Sequence, residues 1–173
     1  PPPPAPPPRH YTLSLHDALP IFTFSDLDLS DRPSASVSTS AATVAATKAD
    51  NSALTLTTAQ VDALKAGFQL LPVDATNTNT GTVNWTYSAS EANLDFLAAN
   101  ETVTLTYSVS VSDSKGDSIS QPVTITITGT NDAPTISAAT DVAGALTEGN
   151  SVLTDSGSFT FSDLDLSDRP SAS

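Results

Sequence analysis

The chain contains no cysteine and no methionine. Disulfides and thiolate metal sites are therefore excluded, although this alone fixes no compartment. Basic residues are scarce, with six Lys and Arg against 19 Asp and Glu and a formal net charge of −13. Nucleic acid is a poor partner for such a surface, because phosphate binding needs clustered cations. Hard divalent cations are a natural one, since carboxylate oxygens are their preferred ligands. No run of about 18 apolar residues occurs, so neither a transmembrane helix nor membrane insertion is expected. The opening residues carry prolines where the apolar core of a signal peptide would stand. Aromatic residues are few: one Trp, three Tyr and six Phe. Histidine occurs only at His10 and His16.

What remains is a chain of 173 residues rich in Thr, Ser, Ala, Val and Asp. That length suffices for one good core, or for one domain and part of another. Thr and Val suit pleated, half-buried strands, which points to an all-β chain.

Residues 22–36, FTFSDLDLSDRPSAS, recur without change at residues 159–173, an offset of 137 (159 − 22). The period is too long for a solenoid repeat of 20–50 residues and fits a string of whole domains. Upstream of the two copies the sequences differ, so identity stops between residues 21 and 22. This divides the chain into a non-native or disordered leader (1–21), a repeat lacking its first strand (22–132), and a linker with the N-terminal part of the next repeat (133–173). The leader holds Ser14, His16 and Asp17 within YTLSLHDALPIF. Because it lies outside the repeat, His16 and Asp17 are not read as a catalytic pair. Residues 12–21, TLSLHDALPI, resemble the translation of a short-read sequencing adapter.

Within the repeat, residues 37–47 and 53–57 alternate as strands. Thr57 and Gln60 have capping-box spacing, and Val61, Leu64, Phe68 and Leu71 follow at helical intervals. They predict a short helix packed on a sheet, which Gly67 weakens. In GTVNWTYS, Val83, Trp85 and Tyr87 share a face, which makes the two aromatics core residues. EANLDFLA suggests a single helical turn. ETVTLTYSVSVSD places Val103, Leu105, Tyr107, Val109 and Val111 on one face, and after the SKGD turn Val123, Ile125 and Ile127 align. Pro122 has no N–H to give and belongs at an edge. One-sided alternation in successive antiparallel strands predicts two sheets that bury their inner faces together, a β-sandwich with one short helix. A first repeat without its first strand would expose an edge. Residues 135–158 are expected either to fold back onto it or to leave the chain prone to association.

FTFSDLDLSD poses a local problem. Phe22, Phe24, Asp26 and Asp28 share parity, so a continuous strand would carry two aspartates into the core. Burying an unpaired carboxylate costs several kcal/mol, so the strand should stop near Ser25. Asp26 and Asp28 then project from one end of the sandwich, where a divalent cation would offset their repulsion. The motif is not an EF-hand, having Asp31 where that loop needs glycine and Val37 where it needs glutamate.

FTFSDLDLSD, GTVNWTYS, LDFLAANETVTLTYSVSVSD and VTITITGTNDAP together resemble the VCBS repeat of large bacterial surface proteins. The resemblance covers nearly all of residues 22–134 and resumes to 173. It implies an immunoglobulin- or cadherin-like antiparallel sandwich, strung in tandem through secreted RTX-type adhesins that support cell adhesion and biofilm formation, usually with calcium. Neighbouring repeats of the same chain would be its partners, at the bacterial cell surface. By the same resemblance, calcium at a junction would be held by the linker residues Asn131 and Asp132, the early acid Glu148, and the pair Asp163 and Asp165. Asp26 and Asp28 would be the equivalent pair at the upstream junction, joined by Asp113. Asp31 and Asp168 are read as solvated turn residues, like Lys115 and Asp117.

The expectation is thus a non-catalytic spacer module. The competing reading is a β-sandwich that binds carbohydrate or a protein ligand, which would need exposed aromatics. An enzyme is not expected: both histidines lie in the leader, and no convergent acid–base pair can be argued.

Overall fold

The computed structural model describes residues 21–26, 33–71, 80–113 and 115–172. The readings made for residues 1–20 and for Asp28 and Asp31 lie outside the described residues. The strands are β1 (Ile21–Ser25), β2 (Ser34–Val37), β3 (Thr43–Thr47), β4 (Phe68–Leu70), β5 (Thr80–Tyr87), β6 (Thr102–Ser112), β7 (Ser118–Thr128), β8 (Thr135–Asp141) and β9 (Ser158–Ser162), with one helix, α1 (Thr58–Lys65), between β3 and β4.

All pairings are antiparallel. One sheet has the order β1-β5-β4. In the other, β6 pairs with β7 along its whole length, from Thr102↔Thr128 to Ser112↔Ser118. The opposite edge of β6 is shared by β3 at its beginning (Thr47↔Thr102) and β2 at its end (Ser34↔Ser112). Pro122 sits on β7, whose only ladder among the described residues is to β6, so its missing N–H falls at a sheet edge.

The two-residue period determines the core. On β6, Val103, Leu105, Tyr107, Val109 and Val111 are buried while the residues between them are not. Val123, Ile125 and Ile127 continue that face on β7. Opposite them stand Val83 and Phe68, with Phe22, Phe24, Leu70, Trp85 and Tyr87 packed around. Phe68 stacks on Trp85 at 5.2 Å and, across the sandwich, on Tyr107 at 4.2 Å. Each such side chain contributes about 1.5–3 kcal/mol by leaving water. The fold is an all-β antiparallel sandwich with one short helix.

Helix α1 begins as the Thr57–Gln60 spacing requires. Gln60 N–H donates to Thr57 Oγ1 (3.3 Å), and Thr57 N–H donates to Gln60 Oε1 (2.8 Å). It ends sooner than the apolar stripe suggested. Leu64 is fully buried on the helix, but Phe68 belongs to β4 and pairs with Tyr87, and Leu71 is largely exposed. The reversal occurs at Gly67, whose carbonyl accepts Ser88 N–H; a Cβ there would stand 2.3 Å from Ser88 O. Two tyrosines hold the helix end. Tyr87 donates to Leu64 O (3.0 Å), and Tyr107 donates to Lys65 O (3.2 Å) and Leu64 O (3.4 Å). Burial pushes the Tyr87 phenol up to about 12 and that of Tyr107 higher still, so both remain protonated donors.

Other expectations need correction. Residues 53–57 are not a strand: Ala53 makes one isolated bridge to Thr47, and Leu54 is buried without a ladder. The turn at 91–98 is a short 3-10 segment (Glu91–Asn93) followed by buried Leu94, Phe96, Leu97 and Ala98. Residues 135–158 do not fold back onto the first unit's edge, since β8 pairs with β9. Ile21, assigned to the leader, joins β1 opposite Asn84; backbone pairing needs no particular side chain there.

Replacing Tyr107 by Phe leaves Lys65 O without its donor while the ring stacking survives. Urea unfolding is expected to show a loss of about 1–3 kcal/mol with an unchanged m value.

Candidate metal centre

Strand β9 stops at Ser162, as β1 stops at Ser25, where the next residue on the side of the phenylalanines would be an aspartate. Beyond it the chain turns on its own carboxylates and docks against the end of the sandwich. Asp163 Oδ1 accepts Asp165 N–H (3.0 Å), and Asp168 N–H donates to Asp165 O (3.2 Å). Leu166 N–H donates to Phe96 O (2.9 Å), which anchors the segment to the buried turn after β5. Leu164 lies over a cavity of about 310 Å³ lined also by Ala59, Gln60, Ala63 and Phe96. From the linker, Asp132 N–H donates to Asp165 Oδ2 (2.8 Å).

Asp165 is consequently 3 % exposed, and its Oδ1 is buried without a hydrogen-bond partner. One carboxylate oxygen from each of Asp163, Asp165 and Asp168 lies within 4.8 Å of the others. Such a cluster could hold a metal ion, because three oxygens of like charge at that separation repel until a cation lies between them. Burial, and then the charges of Asp168, Asp132 and Asp163, raise the Asp165 carboxyl above its ordinary range, against the pull of the Asp132 amide.

The residues named from the sequence fall into several places. Asp163 and Asp165 stand together, with the backbone of Asp132 bonded to the pair and its Oδ2 also buried. Asn131 is exposed and turns its amide to Asp132 O (2.6 Å). Glu148 is exposed in the connection between β8 and β9, apart from the three-carboxylate group. Asp26 and Asp113 line one cavity of about 210 Å³ at the opposite end of the sandwich, with Phe24, Pro33, Val111 and Asp117. Asp113 Oδ1 accepts the amides of Lys115 (2.7 Å), Gly116 (3.1 Å) and Asp117 (3.1 Å), which hold its carboxyl below the usual range. Gly116 sits at φ 129°, a conformation open to glycine.

Two residues went unrecognised. Asp168, read as a turn residue, is the third member of the cluster. The spacing D-x-D-x-x-D carried the signal, but it resembles any acidic turn until Asp168 N–H closes onto Asp165 O. Glu101 is 1 % exposed and accepts Ala98 N–H at Oε2 (3.1 Å), while its carbonyl accepts Gly129 N–H (2.8 Å). It braces the turn on which the aspartate segment docks, and its strand-start position gave no hint of that.

No protein-family model, curated protein or solved structure matches this chain.

A carboxyl whose folded value is raised stabilises the docked segment at acid pH, and that contribution is lost as pH rises through the raised value. With divalent ions chelated, hydrogen-exchange protection of the Asp132 and Leu166 amides should fall as the pH rises from the ordinary aspartate range through the raised value. In Asp165→Asn the fall should disappear and protection at neutral pH should exceed that of the wild type.

Proposed function

We propose that the chain is a non-catalytic spacer module of a secreted bacterial cell-surface adhesin, of the VCBS repeat type, stiffened by calcium where one repeat meets the next. The observation that carries this reading is the buried, unpartnered Oδ1 of Asp165 beside Asp163 and Asp168, at the point where the linker joins the following segment. The donors are all carboxylate oxygens, which suit a hard cation. Calcium–oxygen distances of about 2.3–2.6 Å place opposite ligands about 4.6–5.2 Å apart, so oxygens within 4.8 Å fit around one ion. Asp163, Asp165 and Asp168 would hold the ion, and Asp132, tied to Asp165 through its amide, would link it to the preceding sandwich. A bound ion cancels the repulsion that opposes docking, so the linker loses freedom to bend. That is what a stalk requires of each junction, and it needs no catalytic group.

The exact repetition of fifteen residues supports a tandem array in which neighbouring repeats are the partners. Cell adhesion and biofilm formation would then be functions of the whole adhesin, to which this module contributes reach. Trp85 and Tyr87, the aromatics a sugar-binding face would need, pack against the core instead.

Calcium titration of the intact chain tests the reading. At ten to a hundred times a dissociation constant of roughly 10⁻⁴–10⁻³ M, binding should stabilise the docked state by about 1.4–2.7 kcal/mol. Small-angle scattering should show a narrower distribution of lengths. Asp163→Asn with Asp168→Asn should abolish both effects; an unchanged melting temperature and scattering profile in the wild type would refute calcium stiffening.

A further inference from the structure

Among the described residues two carboxyl side chains are buried: Asp165 within the cluster, and Glu101 outside it. A glutamate seldom leaves water unless a partner offsets the lost hydration. The partner here is Ala98, itself buried. Glu101 Oε2 accepts Ala98 N–H (3.1 Å), and Glu101 N–H donates to Ala98 O (3.0 Å). One residue thus holds both backbone groups of Ala98. The turn between them passes through Asn100 at φ 64°, a conformation that asparagine tolerates better than most side chains.

On its other side Glu101 belongs to the sheet. Its carbonyl accepts Gly129 N–H (2.8 Å), one step beyond the Thr102↔Thr128 pair. Any residue could supply that carbonyl. Only the side chain ties the end of the β6–β7 ladder to the turn at 94–98.

Each end of this brace carries an anchor of the aspartate segment. Phe96, two residues before Ala98, offers its carbonyl to Leu166 N–H (2.9 Å). Asp132, three residues after Gly129, donates its N–H to Asp165 Oδ2 (2.8 Å). Asp165 and Leu166 are consecutive, so both bonds form together only when the two anchors stand at one separation.

We propose that Glu101 is the positioning residue of the metal centre. It is not a member of the cluster. It acts through Ala98, keeping the Phe96 carbonyl and the Asp132 amide in register so that Asp163, Asp165 and Asp168 converge. The inference rests on the calcium-spacer reading for its ligand and on these hydrogen bonds for its mechanics. An undocked segment cannot gather its carboxylates, so apparent affinity follows the fraction of molecules that are docked. The role calls for an acceptor at the reach of Oε2 and not for a charge.

Two conservative variants separate reach from charge. Glu101→Asp keeps the carboxyl but is one methylene short of Ala98, whereas Glu101→Gln keeps an acceptor oxygen in place without the charge. Tyr107→Phe serves as a control that weakens the fold from the helix side. Calcium affinity of the intact chain is measured by titration calorimetry, and protection of the Leu166 and Asp132 amides by hydrogen exchange with ions chelated. Glu101→Asp should lower both readings about tenfold, the effect of losing one buried hydrogen bond. Glu101→Gln should stay within about threefold of the wild type, and Tyr107→Phe should match it. Wild-type values in Glu101→Asp would overturn the proposal. An equal loss in Tyr107→Phe would also overturn it, since Glu101 would then be one more support of the fold. So would a Glu101→Gln variant as weak as Glu101→Asp, because the side chain would then act by its charge. A wild type that binds no calcium would refute the spacer reading, yet amide protection with ions chelated would still decide the role of Glu101.

Discussion

A carboxylate cannot follow a phenylalanine into a dry interior, and that constraint organises both ends of this molecule. In FTFSDLDLSD the period of a strand would bring Asp26 or Asp163 to the same side as the phenylalanines before it. Each copy resolves the conflict by ending its strand at the serine. Asp26 then lines a cavity at one sandwich end, and Asp163, Asp165 and Asp168 gather at the other. Asp165 nevertheless becomes buried, because the docked segment wraps over it, and its unsatisfied oxygen is the local cost of holding the linker and the next segment together.

The scaffold that receives this segment is built by tighter means. The buried stripe of β6, the aromatic stack of Phe68 on Tyr107 and the tyrosine hydroxyls that close α1 are one continuous arrangement. Glu101 extends it outward: one residue fastens the start of β6 to Ala98 and to Gly129. Gly129 in turn has no room for a side chain, its Cβ position lying 2.4 Å from Leu97 O. The turn that presents Phe96 O to Leu166 is thus fixed from behind, and the acidic segment docks on a rigid surface.

Much of the fold was legible in the sequence because it depends on local periods. The alternation in β5, β6 and β7, the capping box at Thr57 and the end of β1 at Ser25 all follow from one strand or one turn. The errors arose where a contact distant in sequence decides. Leu54 is buried without needing a strand, and Phe68 leaves the helical stripe because Tyr87 offers it a ladder. At the acidic cluster, Asp163 and Asp165 repeat the pair that parity singled out at Asp26 and Asp28, and Asp132 was named only because the family resemblance implied it. Asp168 did not stand out, since its membership depends on a turn that closes only once Asp165 is in place. The identical copies make the same point: the sequence of β1 and β9 is shared, and only their neighbours decide whether the phenylalanines are covered.

The long β6–β7 hairpin also determines how the module would respond to tension. β7 leads directly into the linker that carries Asp132, so tension on the linker enters the sandwich through that strand. The ladder from Thr102↔Thr128 to Ser112↔Ser118 lies along that same strand. A pull on the linker that is resisted at the far end of the sandwich would load the ladder's hydrogen bonds together in shear, instead of peeling them one after another from an end. Mechanical failure then requires many bonds to yield at once, so the element that forms most of the core is also the one placed to resist stretching.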